Sequence, residues 1–206
     1  MTNLTLTTFL SLDGVMQGPG SPDEDPSDGF DLGGWLVPFA DGDMGRIISD
    51  CFGEADSFLF GRRTYEIMSA QLPRVGCDSG QVASRLAGLD KYVVSTTLDR
   101  LTWEHATLIR GNLTEEVARL KRRPGRELQI HGSGAVARSL MAHDLIDEYR
   151  LWFYPVVLGR GKRLFGDGAG PSALRLVDIK TTSAGVAVHT YRPAGRLALG
   201  ECGLAH

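Results

Sequence analysis

Cysteine is scarce in this chain. Its 206 residues hold three, Cys51, Cys77 and Cys202, odd in number and in no CxxC pair. That argues against a disulfide framework or a cysteine-zinc site, and the three read as free thiols of a reducing compartment. The five histidines, at 105, 131, 143, 189 and 206, lack ligand spacing, so no metal is expected. No apolar run approaches the roughly 20 residues of a spanning helix. No basic segment leading into an apolar one opens the chain, which argues against a signal peptide. Cytoplasmic residence away from membranes is the expectation. A net charge of −3 is too small for a global field that would draw nucleic acid, so none is expected as a partner.

What is present is an ordinary globular composition, 42% hydrophobic and 23% charged. The length suits one domain with a real core, expected over 1–193 with a tail at 194–206. Leu4–Leu12 reads as a central strand. Residues 13–38 are rich in Gly, Pro and Asp, lack periodicity, and read as a long functional loop. Met44, Ile47, Ile48, Cys51 and Phe52 recur at helical spacing over 43–52. Strands are expected at 56–60, 91–95, 107–109 and 127–131, and helices at 63–70, 81–86, 114–121 and 134–143. Asn112 or Thr114 is the expected cap of the helix at 114–121. After that the rhythm changes to strands only, at 148–157, 174–181 and 186–191. Strand–helix alternation followed by a strand pair predicts an α/β fold, a mostly parallel sheet flanked by helices with an antiparallel C-terminal hairpin.

Two strand-to-helix junctions carry glycine. Gly61-Arg62-Arg63-Thr64 follows the strand at 56–60, and Gly132-Ser133-Gly134-Ala135 follows the strand at 127–131. A helix N-terminus offers unpaired N–H groups and partial positive charge, so two such junctions can hold one dinucleotide from two sides. Gly132-Ser133-Gly134 is not the Rossmann fingerprint, because no acidic residue follows at the ribose-binding distance. Each junction also reads as a plain turn with solvated arginines or a tight glycine corner.

Together with Ser11-Leu12-Asp13-Gly14, Tyr92 to Leu98, and Pro155 to Phe165, these motifs resemble the dihydrofolate reductase superfamily. In particular they resemble the reductase domain of bifunctional riboflavin-biosynthesis proteins and its stand-alone relatives. The matches keep family order from about Leu4 to Pro193. The resemblance implies a dihydrofolate reductase-like fold, NADPH as cofactor, a small-molecule substrate and a homodimer. It places Gly61, Thr64, Ser95, Thr96, Gly132, Ser133, Gly134 and Ala135 at the cofactor. Arg62 is placed at the adenosine 2′-phosphate, with Arg63 as the alternative.

The same resemblance sets Val15, Met16, Trp35, Tyr65 and Pro155 on the substrate side. Asp13, Asp41 and Asp43 are the candidate catalytic carboxylates. Each has a bland alternative: Asp13 a turn-former before Gly14, Asp41 and Asp43 caps of the helix at 43–52, Trp35 a core residue, Ser95 and Thr96 turn chemistry. His131 reads as hydrogen-bonded structure. The strand residues Leu151 to Tyr154 serve equally as a dimer contact or as core. No H-x-E with P-C-x-x-C is present, so a deaminase activity is not expected. The expected activity is NADPH-dependent hydride transfer to a small planar heterocycle or a related C=N or C=O compound. A nucleotide-binding homodimer without turnover is the alternative.

Overall fold

The computed structural model describes residues 1–71, 80–166 and 170–200. Cys77 and Cys202, His206 and the last part of the expected tail lie outside these. Eight strands form one mixed sheet: β1 (Asn3–Ser11), β2 (Ala55–Gly61), β3 (Asp90–Val94), β4 (Ala106–Ile109), β5 (Glu127–His131), β6 (Glu148–Tyr154), β7 (Leu174–Thr181) and β8 (Ala187–Pro193). Their spatial order is β4-β3-β2-β5-β1-β6-β8-β7. The first six are parallel, and β8 runs antiparallel to both β6 and β7. Five helices flank the sheet among the described residues: α1 (Gly42–Glu54), α2 (Arg62–Gln71), α3 (Gly80–Gly88), α4 (Leu113–Lys121) and α5 (Gly134–Met141).

Central strands are buried on both faces, which is why β1 is apolar or β-branched almost throughout. Leu4, Leu6 and Leu10 point to the face covered by α4 and α5, where Val117, Leu120, Val136, Ala137 and Leu140 meet them. The opposite face is covered by α1, α2 and α3 through Phe52, Tyr65 and Leu86, packed on Phe58 and Phe60. Each fully buried phenylalanine contributes about 1.5–3 kcal/mol of burial free energy. Helix starts follow local chemistry. The Asp41 carboxylate accepts the Met44 amide at 2.7 Å, and the Asn112 side chain accepts that of Thr114, so Asn112 is the cap of α4.

Some boundaries move. The first strand stops at Ser11, and Leu12 stands 62% exposed. The strand expected over 148–157 ends at Tyr154, and the helix expected to 143 ends at Met141. The closing hairpin also differs from a simple addition of successive strands at the edge. After β6 the chain crosses to the far edge as β7 and returns as β8 between the two. Leu151 to Tyr154 therefore lies inside the sheet, with Trp152 and Tyr154 fully buried. That segment is core, and the exposed edge strand is β7, carrying Leu176, Val177 and Ile179 at 41–49% exposure.

Candidate active site

Strands β2 and β5 are hydrogen-bonded neighbours, with Leu59 opposite Ile130. The chain leaves β2 into α2 on one face of the sheet and leaves β5 into α5 on the other. Such a divergence opens a crevice at the C-terminal ends of the two strands, the place where open α/β sheets receive ligands. Both glycine junctions sit there. Gly132 and Ser133 adopt left-handed φ values of 56° and 53°, turning the chain from β5 into α5. Ser133 occupies the N-cap position of α5 yet makes no capping bond. Its hydroxyl instead spans the crevice, accepting the Gly61 amide at 2.9 Å and lying 2.8 Å from the Thr64 hydroxyl. The first amides of α5 are thus left without a side-chain cap, as an anion site requires. A Cβ on Gly134 would lie 2.9 Å from the Met16 sulfur, so the Met16 side chain lies directly over this glycine and would have to shift to admit a larger residue.

The two arginines are not equivalent. Arg62 is half exposed, and among the described residues its one ion pair is with Glu66, a turn further along α2, at 3.7 Å. Arg63 ion-pairs with Asp25 and donates to the Ser27 hydroxyl at 3.2 Å. Arg62 is therefore the cation more free for a ligand, while Arg63 fastens the long loop. Ser95 is buried at the end of β3, and its hydroxyl accepts the amides of Thr97 and Leu98 at 3.1 and 3.0 Å, an ordinary turn bond. Thr96 beside it is exposed.

Loop 13–38 is ordered by specific bonds. The buried Gln17 donates to the carbonyls of Asp25 and Ser27, both at 3.0 Å, and accepts the Lys162 amide at 2.9 Å. Lys162 pairs with Asp25 at 3.1 Å and Asp28 at 3.6 Å. Met16 donates its amide to the Lys162 carbonyl at 2.8 Å. Between this loop and 158–163 lies a cavity of about 300 Å³. Gln17 and Asp25 carried no sequence signal, because they act through carbonyls of an aperiodic loop and through Arg63 and Lys162, which only folding brings beside them.

Asp13 stands at the end of β1 and holds the 155–163 segment. It accepts the amides of Leu158 and Gly159 at 3.1 and 2.9 Å and the Ser11 hydroxyl at 2.7 Å, and it pairs with Arg163 at 3.2 Å. Burial pushes its carboxyl up, but the Ser11 hydroxyl and the two amides outweigh that and hold it well below the usual carboxylate range. Asp41 and Asp43 are engaged at the hairpin turn. Asp41 accepts Met44 and Ala184 amides, and Asp43 accepts the Ser183 amide at 2.9 Å and pairs with Arg46. Both are held below the ordinary carboxylate value, Asp41 first by the Met44 amide and Asp43 first by the Ser183 hydroxyl.

Several expected substrate residues take structural places. Trp35 is buried, donates its indole N–H to the Gln17 carbonyl at 2.8 Å and meets Tyr154 edge-on at 5.3 Å. Tyr65 is buried, and its hydroxyl accepts the amides of Thr102 and Trp103 at 2.8 and 3.1 Å. Val15 is fully buried and pairs with Arg163 across a bridge. Pro155 is exposed just past β6. Met16 alone of the five lies directly over the cradle. His131 is stacked on Phe52 at 4.6 Å, with Nε2 2.9 Å from the Gln129 oxygen. Burial, with Arg150 nearby, pushes it down to about 3, so it is neutral.

The family model of the RibD C-terminal domain matches residues 2–188, and the chain belongs to that family. It is 30% identical over 190 residues to the uncharacterized protein YyaP of Bacillus subtilis (strain 168), covering 91% of this chain and 93% of that one. Among solved structures it is similar to a putative riboflavin biosynthesis protein from Shewanella sp. PV-4, with TM-score 0.65 and 21% identity over 93% of this chain and 98% of that one. It is also similar to the dihydrofolate reductase of Enterococcus faecalis complexed with NADP(H), with TM-score 0.57 and 13% identity over 93% and 96%. At these identities the two structural likenesses show a shared dihydrofolate reductase-like fold.

Proposed function

We propose that this chain is an NADPH-dependent reductase acting on a small planar heterocycle or a related C=N or C=O compound. The observation that carries this reading is the Ser133 bridge, which binds two glycine junctions into one crevice and leaves the start of α5 uncapped toward it. Gly132 to Ala135 and Thr64 would hold the pyrophosphate, and Arg62 the 2′-phosphate. Ser95 and Thr96, at the neighbouring strand end, would border the ribose. When bound, the cofactor supplies the hydride; the protein supplies position, dryness and charge. Met16 would border the reacting ring, and loop 13–38 would exclude water.

The proton is the open half of the reaction. Asp13, Asp41 and Asp43 are each held ionised by several donors, so a bound water is the donor in this reading. The same observation favours the second reading, a nucleotide-binding module without turnover. Either way, the exposed apolar edge of β7 would pair two copies as a homodimer. No helix among the described residues is long and apolar enough to cross a membrane, and a cytoplasmic site of action fits the cofactor.

Fluorescence titration with NADPH and NADH, run in parallel on Arg62→Ala, tests the reading. Micromolar NADPH binding, weaker NADH binding and about a tenfold or greater loss in the variant are expected, since a charge-assisted phosphate contact is worth about 1.5–3 kcal/mol. Binding of neither nucleotide would remove both readings.

A further inference from the structure

We propose that Arg138, on α5, is a second cofactor cation that holds the pyrophosphate common to NADPH and NADH, while Arg62 reads the 2′-phosphate. The proposal rests on the reductase reading above and adds a binding residue to that site. By sequence Arg138 belongs to the last turn of α5, where a cation ordinarily serves the C-terminal carbonyls. The fold sends it the other way. Helical side chains slant toward the N-terminus and reach the residue four positions back, here Gly134. A Cβ on Gly134 would lie 3.0 Å from Nη1 of Arg138 and 2.9 Å from the Met16 sulfur. The guanidinium and the thioether therefore press on the same side of the cradle glycine. Nη1 also donates to the Arg163 carbonyl at 3.2 Å. Arg163 bridges Val15, and the Lys162 carbonyl accepts the Met16 amide. Arg138 is thus placed by the same backbone that places Met16.

Its partners separate it from the other cations nearby. Arg63 and Lys162 lie on Asp25, Arg160 on Asp31, Arg163 on Asp13 and Arg62 on Glu66. Among the described residues no carboxylate pairs with Arg138, and its bond to a neutral carbonyl leaves the charge uncompensated. It also stands at the unfavourable end of its helix. The first turn of α5 has no acidic residue and no side-chain cap, and the macrodipole disfavours a cation there. A merely solvated arginine would extend into water, away from that end. This one is held where two positive potentials add, and an anion relieves both. The uncapped α5 amides would take pyrophosphate oxygens, and the open part of the guanidinium fork would take another. Arg62 begins α2, on the other side of the crevice, so the two cations serve different phosphates.

The test is fluorescence titration of full-length wild type, Arg138→Gln and Arg62→Ala with NADPH and NADH, and with inorganic pyrophosphate as competitor. Arg138→Gln should weaken both nucleotides by the same factor, about tenfold or more, because a charge-assisted phosphate contact is lost. Pyrophosphate should displace NADPH from the wild type and bind Arg138→Gln more weakly by a similar factor. Arg62→Ala should weaken NADPH alone. Arg138→Met, which keeps the stem, repeats the measurement should the Gln variant misfold. Unchanged affinity for both nucleotides in a folded variant would overturn the assignment. So would a loss confined to NADPH, which would put Arg138 at the 2′-phosphate. A loss of both nucleotides with pyrophosphate binding intact would also overturn it, leaving Arg138 a strap on the Arg163 backbone. Failure of the reductase reading shows separately, as a wild type that binds neither nucleotide, and this assignment falls with it.

Discussion

The hydroxyl of Ser133 accepts the backbone amide of Gly61 at 2.9 Å across the crevice between two neighbouring strand ends. One side chain thus fixes the spacing of two helix N-termini that are 72 residues apart in sequence. It does so in place of capping its own helix, a choice that costs local stability and leaves the α5 amides for a ligand.

Ser133→Ala therefore removes the bridge and leaves the Gly61 amide short of a partner. A stability loss of about 1–2 kcal/mol is expected, measured by urea unfolding. NADPH affinity should fall at least as much as stability does, because the two halves of the cradle lose their register. Unchanged NADPH binding in a folded variant would argue that the halves do not act together.

Asp13→Asn should act on the 155–163 segment and not on proton supply. Hydrogen exchange at Leu158 and Gly159 should quicken, and KM should rise more than kcat falls. The wild-type contact has a definite pH sign. Its folded-state carboxyl is held low by its donors, so the stabilisation is present above the ordinary value of about 4 and is lost as pH falls below it. The protection of these two amides, taken relative to intrinsic exchange at each pH, should fall on acidification in the wild type and stay flat in the variant.

His131 gives a second pH signature. It is neutral in the folded protein, pushed down to about 3, while an unfolded histidine takes up a proton near 6.5. Stability should decline as pH drops below about 6.5, by at most about 1.4 kcal/mol per pH unit from this group. His131→Gln should flatten that decline between pH 6 and 4. A histidine limb in the pH–rate profile that vanishes in this variant would instead show His131 in contact with the chemistry.

Lys91 is fully buried, and its ammonium donates to the carbonyls of Leu86, Ala87 and Leu89 at 2.7, 3.1 and 2.6 Å, closing the C-terminal end of α3. It also lies 4.9 Å over the Trp103 ring. Lys91→Met keeps the stem and removes the donor, leaving three carbonyls unpaired. A loss of roughly 3 kcal/mol is expected, read from chemical denaturation, with little change in nucleotide affinity.

Much of this was written locally. The alternation of β1, the helical spacing of α1, the Asn112 cap and the two glycine junctions all depend on residues within a few positions of one another. Period and capping chemistry therefore reveal them. The resemblance built on those junctions led to the right family for the same reason. Side chains that serve two purposes were harder. Asp41 is the helix cap in either reading, and only the position of Ala184 shows where its second oxygen goes. Trp35 was legible as an aromatic after two glycines, but its place against Tyr154 depends on β6 lying inside the sheet.

By itself, the sequence determined the elements, their order and the points at which strands turn into helices, because those follow from near-neighbour sterics and hydrogen bonding. Tertiary structure alone decided that β5 inserts beside β2 and β8 beside β6, and with that which ends meet. It also decided that Arg62 stays more open while Arg63 is taken by Asp25. Adjacent arginines are chemically identical along a chain, and only the carboxylates that folding brings beside them tell them apart.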